Sequence, residues 1–241
     1  MASIKRVVSF VLVAVLVLCM TACGGSDTST GGSAVGETGA WTINSQKLKT
    51  KLPKDVKEAF DKAMEGFTGS TLESVAYVGS HVVAGANYMI LCRATTTTET
   101  PEVTYQMVII YADLDGNAEL TSMKEFDITE YVEGEGTKEQ EMLAGGWTVP
   151  EDAAGSAIPK DAKAVYDKMM ETVTWEWGEV DLLAFLGDQV VAGTNYSFLC
   201  KGTLTEDESA QRIFVLTIYE DPEGNVQILN ENVLDLAEFN E

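Results

Sequence analysis

The sequence has few of the residues on which most enzymes and nucleic-acid-binding proteins depend. Its 241 residues include one histidine, four cysteines and five prolines, and 16 lysines and arginines stand against 38 aspartates and glutamates. One histidine excludes most histidine-based metal sites and leaves little room for a histidine-activated nucleophile. A net charge of −22 argues against nucleic acid as a partner, because phosphate binding needs a basic surface. Walker, dinucleotide-binding, zinc-protease and nucleophile-elbow motifs are also missing. We therefore expect no enzymatic activity, no cofactor and no metal ion.

Residues 1–22 have the pattern of a secretory signal peptide. Two basic residues, Lys5 and Arg6, precede an uncharged apolar run at 7–20, which is short for a membrane span. The sequence Met-Thr-Ala-Cys that ends at Cys23 resembles a bacterial lipobox. That resemblance implies cleavage before Cys23 and a thioether-linked lipid with palmitate-type acyl chains, which would anchor the protein on the extracytoplasmic side of the membrane. The alternative is an ordinary signal peptide followed by a chance cysteine.

Residues 23–40 would then form the lipid anchor and a flexible tether, because glycine, serine and threonine dominate this segment.

The rest of the chain contains two copies of one sequence repeat. GSHVVAGANYMILC at 79–92 recurs as GDQVVAGTNYSFLC at 187–200, and Trp41-Thr42 recurs as Trp147-Thr148. We predict one domain at 41–131, an acidic linker at 132–146 and a second domain at 147–241. The sequence leaves the oligomeric state open.

Each repeat reads as a helix followed by strands. Apolar residues of helical period begin at Val56 and at Ala162. Period-2 and β-branched patterns then predict two sets of four strands, at 72–83, 86–95, 103–112 and 118–128, and at 179–191, 194–204, 211–220 and 226–236. The pattern therefore predicts an α+β fold in which each domain is one helix packed on a four- to five-stranded antiparallel sheet. Alternation along the strand 194–204 places Cys200 in the core and Lys201 in water.

The segment Gln189-Val190-Val191-Ala192-Gly193, followed by Thr-Asn-Tyr, resembles the signature hairpin of the cystatin and stefin family. The first repeat has the same pattern with histidine in place of glutamine, at His81, Val82, Val83, Ala84 and Gly85. Gly145 and Gly146 lie before Trp147 and are similar to the glycine-bearing N-terminal trunk of that family, so residues 143–146 would serve as the trunk of the second domain. The resemblance implies two tandem cystatin-like domains.

For function, the resemblance implies a reversible inhibitor of papain-like cysteine proteases. In that family the trunk, the first hairpin and a second hairpin enter the active-site cleft. Here the second hairpin carries Pro222 among acids, where the family has a proline-tryptophan or apolar pair. Two hypotheses stay open: a surface-tethered protease inhibitor, and a non-inhibitory binding or structural module of the cell envelope that uses the repeat as a scaffold. Trp175 and Trp177 either pack over the end of the second helix or form an aromatic surface.

Overall fold

A computed structural model describes residues 41–44, 52–132, 146–149, 158–175, 177–204 and 210–240. These residues form two antiparallel sheets, with strand orders β1-β2-β3-β4-β5 and β6-β7-β8-β9. The strands are β1 (Thr42–Ile43), β2 (Ser70–Val83), β3 (Gly85–Thr96), β4 (Val103–Ala112), β5 (Ala118–Glu125), β6 (Trp177–Val191), β7 (Gly193–Leu204), β8 (Gln211–Glu220) and β9 (Val226–Val233). The helices are α1 (Lys54–Ala63), α2 (Thr129–Val132), α3 (Lys160–Thr172) and a C-terminal 3-10 helix (Leu236–Phe239). The eight long strands match the predicted segments to within a few residues at each end.

The predicted α+β fold of two helix-on-sheet domains is wrong. The structure is mostly β, with 53% strand and 19% helix, and the described residues from Trp41 onwards belong to one compact unit. The cause is that the central strands are apolar on both faces. In β3, Ile90 and Cys92 pack with α1, whereas Met89 and Leu91 face the other way and pack with residues of the second sheet. One helix covers only one face of a sheet, so the second face is buried between the two sheets.

A shared core therefore joins the two repeats. It combines Met107 and Ile109 of the first sheet with Leu199 and Val215 of the second, and all four side chains are buried. The hydroxyl of Tyr105 also donates a hydrogen bond across the interface to a backbone carbonyl oxygen, that of Phe185, at 3.4 Å. The boundaries predicted at 131 and 147 stay predictions, because most of the segment between them lies outside the described residues.

Two ion pairs lie on the face where the sheets meet, at equivalent places in the repeats. Arg93 contacts Glu73 at 3.1 Å, and Lys201 contacts Asp181 at 2.9 Å. The Lys201 side chain is only 3% exposed, so the expectation that it faces water is wrong. Cys200, on the opposite face of the same strand, lies in the core as expected and is a free thiol.

The repeats have the same strand irregularities as well as the same strand order. The pairing register of β2 with β3 shifts between Ser74 and Ala76 and between Tyr77 and Gly79. The register of β6 with β7 shifts at the equivalent places, 108 residues later. A further shift in β4 recurs in β8. Because β-bulges bend and twist a strand at defined points, matching bulges give the two sheets matching curvature.

The C-terminal segment of each repeat packs against the last strand of the other repeat. Asn230 and Asn232 of β9 donate side-chain hydrogen bonds to the carbonyl oxygen of Tyr131 in α2, at 3.1 and 2.6 Å. In the reciprocal contact, Ser122 of β5 donates to the carbonyl oxygen of Phe239 at 3.2 Å. These segments pack on the inner faces of β5 and β9, beside the shared core. They also tie the repeats together outside the core.

Candidate functional site

The most exposed valines of the described chain lie at two hairpin tips, which we define as residues 82–85 between β2 and β3 and residues 190–193 between β6 and β7. Val82 is 67% exposed and Val190 is 64% exposed. Val83 is 42% exposed, and Val191 is half-buried. Strand alternation sends adjacent side chains to opposite faces, so a tight hairpin cannot bury both valines of a pair. Each tip therefore presents apolar surface to solvent.

A glycine in each tip brings it against the next hairpin of the same sheet. Gly85 has φ of +135° and Gly193 has φ of +137°, which are backbone conformations that favour glycine. A Cβ atom at Gly85 would lie 2.3 Å from the carbonyl oxygen of Ala112, and one at Gly193 would lie 2.4 Å from that of Glu220. The motif needs glycine here because no side chain fits between the two hairpins.

A tyrosine holds the backbone of each tip in place. The hydroxyl of Tyr111 donates to the carbonyl oxygen of Ala84 at 2.7 Å, and that of Tyr219 donates to the carbonyl oxygen of Ala192 at 2.6 Å. Sequence reasoning missed these two residues. The available signal was their place in the repeat, since both precede the acidic second hairpin at the same spacing from the tip glycine.

The second hairpin of the first sheet, residues 113–117, is closed by its own aspartate. Asp113 accepts hydrogen bonds from the backbone N–H of Asp115 at 2.9 Å and from the backbone and side chain of Asn117, both at 2.7 Å. These bonds favour the ionised carboxyl group, and the side-chain bond from Asn117 contributes most to a lowered Asp113 pKa. Lys62 of α1 donates to the carbonyl oxygen of Gly116 at 2.6 Å, and Leu114 is 86% exposed.

The second sheet has the same arrangement at residues 221–225. Asp221 accepts hydrogen bonds from the backbone N–H and the side chain of Asn225, at 2.7 and 2.8 Å, and its pKa is lowered chiefly by the side-chain bond. Lys168 of α3 donates to the carbonyl oxygen of Gly224. The predicted contact residue Pro222 is exposed beside this aspartate. Both second hairpins are therefore rigid and acidic.

A third element, from the N-terminal part of each repeat, lies close to the tip and the second hairpin. Thr42 pairs with Ser80, and Thr148 pairs with Asp188, so a short extended segment runs beside each first hairpin. Glycines permit the close approach: a Cβ atom at Gly79 or at Gly187 would lie 2.6 Å from the carbonyl oxygen of the paired threonine. The end of each sheet thus combines a tip, a second hairpin and an N-terminal segment, which we call a hairpin end.

The other predicted site residues differ between the two hairpin ends. The side-chain oxygen of Gln189 accepts a hydrogen bond from Asn195 at 2.9 Å, whereas the His81 ring lies 5.8 Å from the Trp41 ring. Ala84 and Ala192 are exposed at the turns, and Gly146 is exposed at the start of its segment. Gly145 and Cys23 lie outside the described residues. Trp175 is partly buried against the cluster between α3 and the second sheet, and the side chain of Trp177 is not described.

Burial changes the pKa of Asp188, close to the second tip, and of Cys200, in the core between α3 and the second sheet. Desolvation raises the Asp188 pKa, with a smaller contribution from Asp161. Burial also raises the pKa of the Cys200 thiol well above its usual value, so this thiol is not a nucleophile at neutral pH. Within the described residues, no group of three or more metal-ligating side chains is placed to hold a metal ion, and no helix is long and apolar enough to span a membrane.

No protein-family model matches the chain, and no curated protein matches its sequence.

Proposed function

We propose that the protein is an extracytoplasmic lipoprotein, anchored through Cys23, that reversibly inhibits papain-like cysteine proteases. The observation that carries the proposal is the hairpin end, where an exposed apolar tip stands beside a rigid second hairpin and an extended N-terminal segment. Three elements at one edge form a wedge that fits a cleft better than it fits a flat surface. The proposal depends on this local geometry and not on the predicted domain class.

The binding energy would come from the apolar tip and from its rigidity. Full burial of a valine side chain contributes about 1.5–3 kcal/mol, and Val190 still has most of its surface to bury. A flexible loop would lose conformational entropy on entering a cleft, at about 0.5–1.5 kcal/mol for each immobilised side chain. The hydrogen bond from Tyr219 and the close packing at Gly193 hold the second tip in one conformation before binding. Little further ordering is then required.

The same rigidity would make the tip an inhibitor and not a substrate. A protease cleaves a peptide that lies extended across its catalytic residues. The peptide at 190–193 is folded back in a tight turn, and the carbonyl oxygen of Ala192 already accepts a hydrogen bond from Tyr219. Occupation of the cleft by such a turn excludes substrate without presenting a cleavable bond, and no covalent step is involved.

A second candidate function is a non-inhibitory binding module of the cell envelope. The acids of the second hairpins favour it, since Glu223 beside Pro222 and Asp115 beside Leu114 are exposed. An unpaired carboxylate that enters an apolar cleft loses several kcal/mol of hydration free energy. A partner with basic residues at its surface would accept this edge more readily than a purely apolar cleft.

Titration of residues 24–241 against papain tests the proposal. We expect reversible inhibition that is competitive with substrate. Val190→Asp should weaken inhibition at the second end by at least a hundredfold, because it places a charge in a desolvated contact while its exposed position leaves the fold intact. Val191 is a poorer target, since it is half-buried. Val233→Asp is the matched control for the second end, because Val233 is 50% exposed and pairs with Phe214 of β8, at the end of the second sheet that is far from residues 190–193.

The outcomes separate the two candidates. Inhibition that survives Val190→Asp together with Val82→Asp would show that the tips are not the contact. A wild-type protein that inhibits none of several papain-like proteases at high micromolar concentration would contradict the inhibitor and favour the binding module. We expect Val82→Asp alone to have the smaller effect, because His81 replaces glutamine in the first tip.

A further inference from the structure

The two hairpin ends lie at opposite ends of one core. Asn44 lies level with Val78, four residues before the first tip, because its N–H donates to the carbonyl oxygen of Val78. The carbonyl oxygen of Asn44 accepts a hydrogen bond from Lys201, which is eight residues from the second tip in the second sheet. Conversely, Ile128 follows the far end of the first sheet, and its side chain lies 3.5 Å from the position that a Cβ atom on Gly187, three residues before the second tip, would occupy. The sheets are therefore packed head to tail, and the tips point in opposite directions.

From this arrangement we infer that the protein is bivalent and holds two partner molecules at once, one at each hairpin end. The inference rests on the proposed function, because it assigns the same class of partner to both ends. That partner is a papain-like protease whose apolar cleft has basic residues at its rim, because the exposed acids of the second hairpins oppose binding only to a purely apolar cleft. The acids Asp115 and Glu223, exposed beside the two tips, supply the charge complementarity.

Equivalent chemistry at the two ends supports two sites of the same kind. The leading valines, Val82 and Val190, are exposed to 67% and 64%. The bracing hydrogen bonds from Tyr111 and Tyr219 have lengths of 2.7 and 2.6 Å. No element that forms the tip in one repeat is missing from the other. The main difference is His81 in place of a glutamine, which predicts a difference in affinity and not in the number of sites.

Geometry permits both ends to be occupied together. The contact between Asn44 and Lys201 lies four residues from the first tip and eight residues from the second, so strands packed head to tail set the tips roughly 40 Å apart at 3.3 Å per residue. A partner domain of about 200 residues has a radius of gyration of roughly 16 Å. Two such domains on opposite ends of the core would not overlap. Because the ends belong to one packed unit and not to two hinged domains, the partners would be held apart at a fixed distance.

The test is the stoichiometry of the complex of residues 24–241 with papain whose catalytic cysteine has been blocked by carboxamidomethylation. Light scattering after size exclusion gives the mass of the complex at saturating papain. We expect two papain molecules for each chain, one for Val82→Asp, one for Val190→Asp and none for the double variant. Val233→Asp should still bind two, and circular dichroism should show that every variant keeps its strand content.

The outcomes separate this inference from the proposed function. A wild-type complex with one papain, abolished by Val190→Asp alone, would refute bivalency and leave the inhibitor proposal standing. One papain bound by the double variant would refute both tips as sites. No complex of any kind between wild-type protein and papain would overturn the inhibitor proposal and bivalency with it.

Discussion

Replacement of Lys201 by methionine tests whether the two repeats share one core. The substitution keeps an unbranched side chain of similar length and removes the charge. In the structure, Lys201 contacts Asp181 of its own repeat at 2.9 Å. It also donates a hydrogen bond at 3.3 Å to the carbonyl oxygen of Asn44, a residue of the other repeat. The side chains of the ion pair are 3% and 11% exposed. Lys201→Met therefore removes the ion pair with Lys201 from the buried carboxylate of Asp181.

The size of the expected loss in the free energy of unfolding follows from the burial of this ion pair. Removal of one partner of a buried ion pair costs about 3–5 kcal/mol, whereas loss of an exposed pair costs about 0–1 kcal/mol. We expect the free energy of unfolding, measured in urea by linear extrapolation, to fall by about 3–5 kcal/mol. The equivalent Arg93→Met variant should lose only about 1 kcal/mol, because Glu73 is 41% exposed and water can solvate its carboxylate.

A double variant serves as the control that distinguishes loss of the ion pair from a general failure to fold. Asp181→Leu combined with Lys201→Met removes both charges, and such replacements of buried pairs are often neutral or stabilising. We expect the double variant to recover most of the lost stability. If Lys201→Met lowers the free energy of unfolding by less than about 1 kcal/mol, Lys201 is solvated. The two sheets would then not bury it, and the shared core would be wrong.

Three further predictions concern the anchor, the tip and the second hairpin. Cys23→Ala should release the protein from the membrane fraction or leave it uncleaved; cleaved protein that stays with the membrane in a fractionation assay would contradict the lipobox. Gly193→Ala should lower the free energy of unfolding in urea by about 1–3 kcal/mol, because Gly193 has φ of +137° and a Cβ atom there would clash with the carbonyl oxygen of Glu220. Gly224→Ala should lower it by only about 1 kcal/mol, because a Cβ atom at Gly224 meets open space. The hydrogen bonds to Asp221 lower its pKa, so their contribution to stability is complete above the ordinary pKa of an aspartate and is lost as pH falls through the lowered value. Asn225→Ala should therefore raise the midpoint of the Asp221 carboxyl titration observed by NMR. An unchanged midpoint would show that Asn225 does not lower this pKa.

Local features of the sequence predicted the elements of the fold well. The eight long strands lie within a few residues of their expected places because their β-branched and apolar pattern is strong and their turns contain glycine and asparagine. The helices begin after Pro53 and Pro159, where a missing N–H is tolerated. The tip valines were identifiable because a hairpin cannot bury both members of an apolar pair. Tyr111 and Tyr219 were missed because a side chain that braces a neighbouring hairpin leaves no periodic signal.

The sequence by itself determined the repeat, the strand order within each repeat and the apolar tips, because these depend on residues that are near one another along the chain. The tertiary structure decided what covers the second face of each sheet. Alternation along β7 separates Cys200 from Lys201 but does not reveal whether water or a second sheet lies beyond the lysine. The apolar residues on both faces of the central strands need two covering layers, and the described part of each repeat has one long helix. The other layer is the partner repeat, and its head-to-tail packing sets the two tips at opposite ends of the molecule.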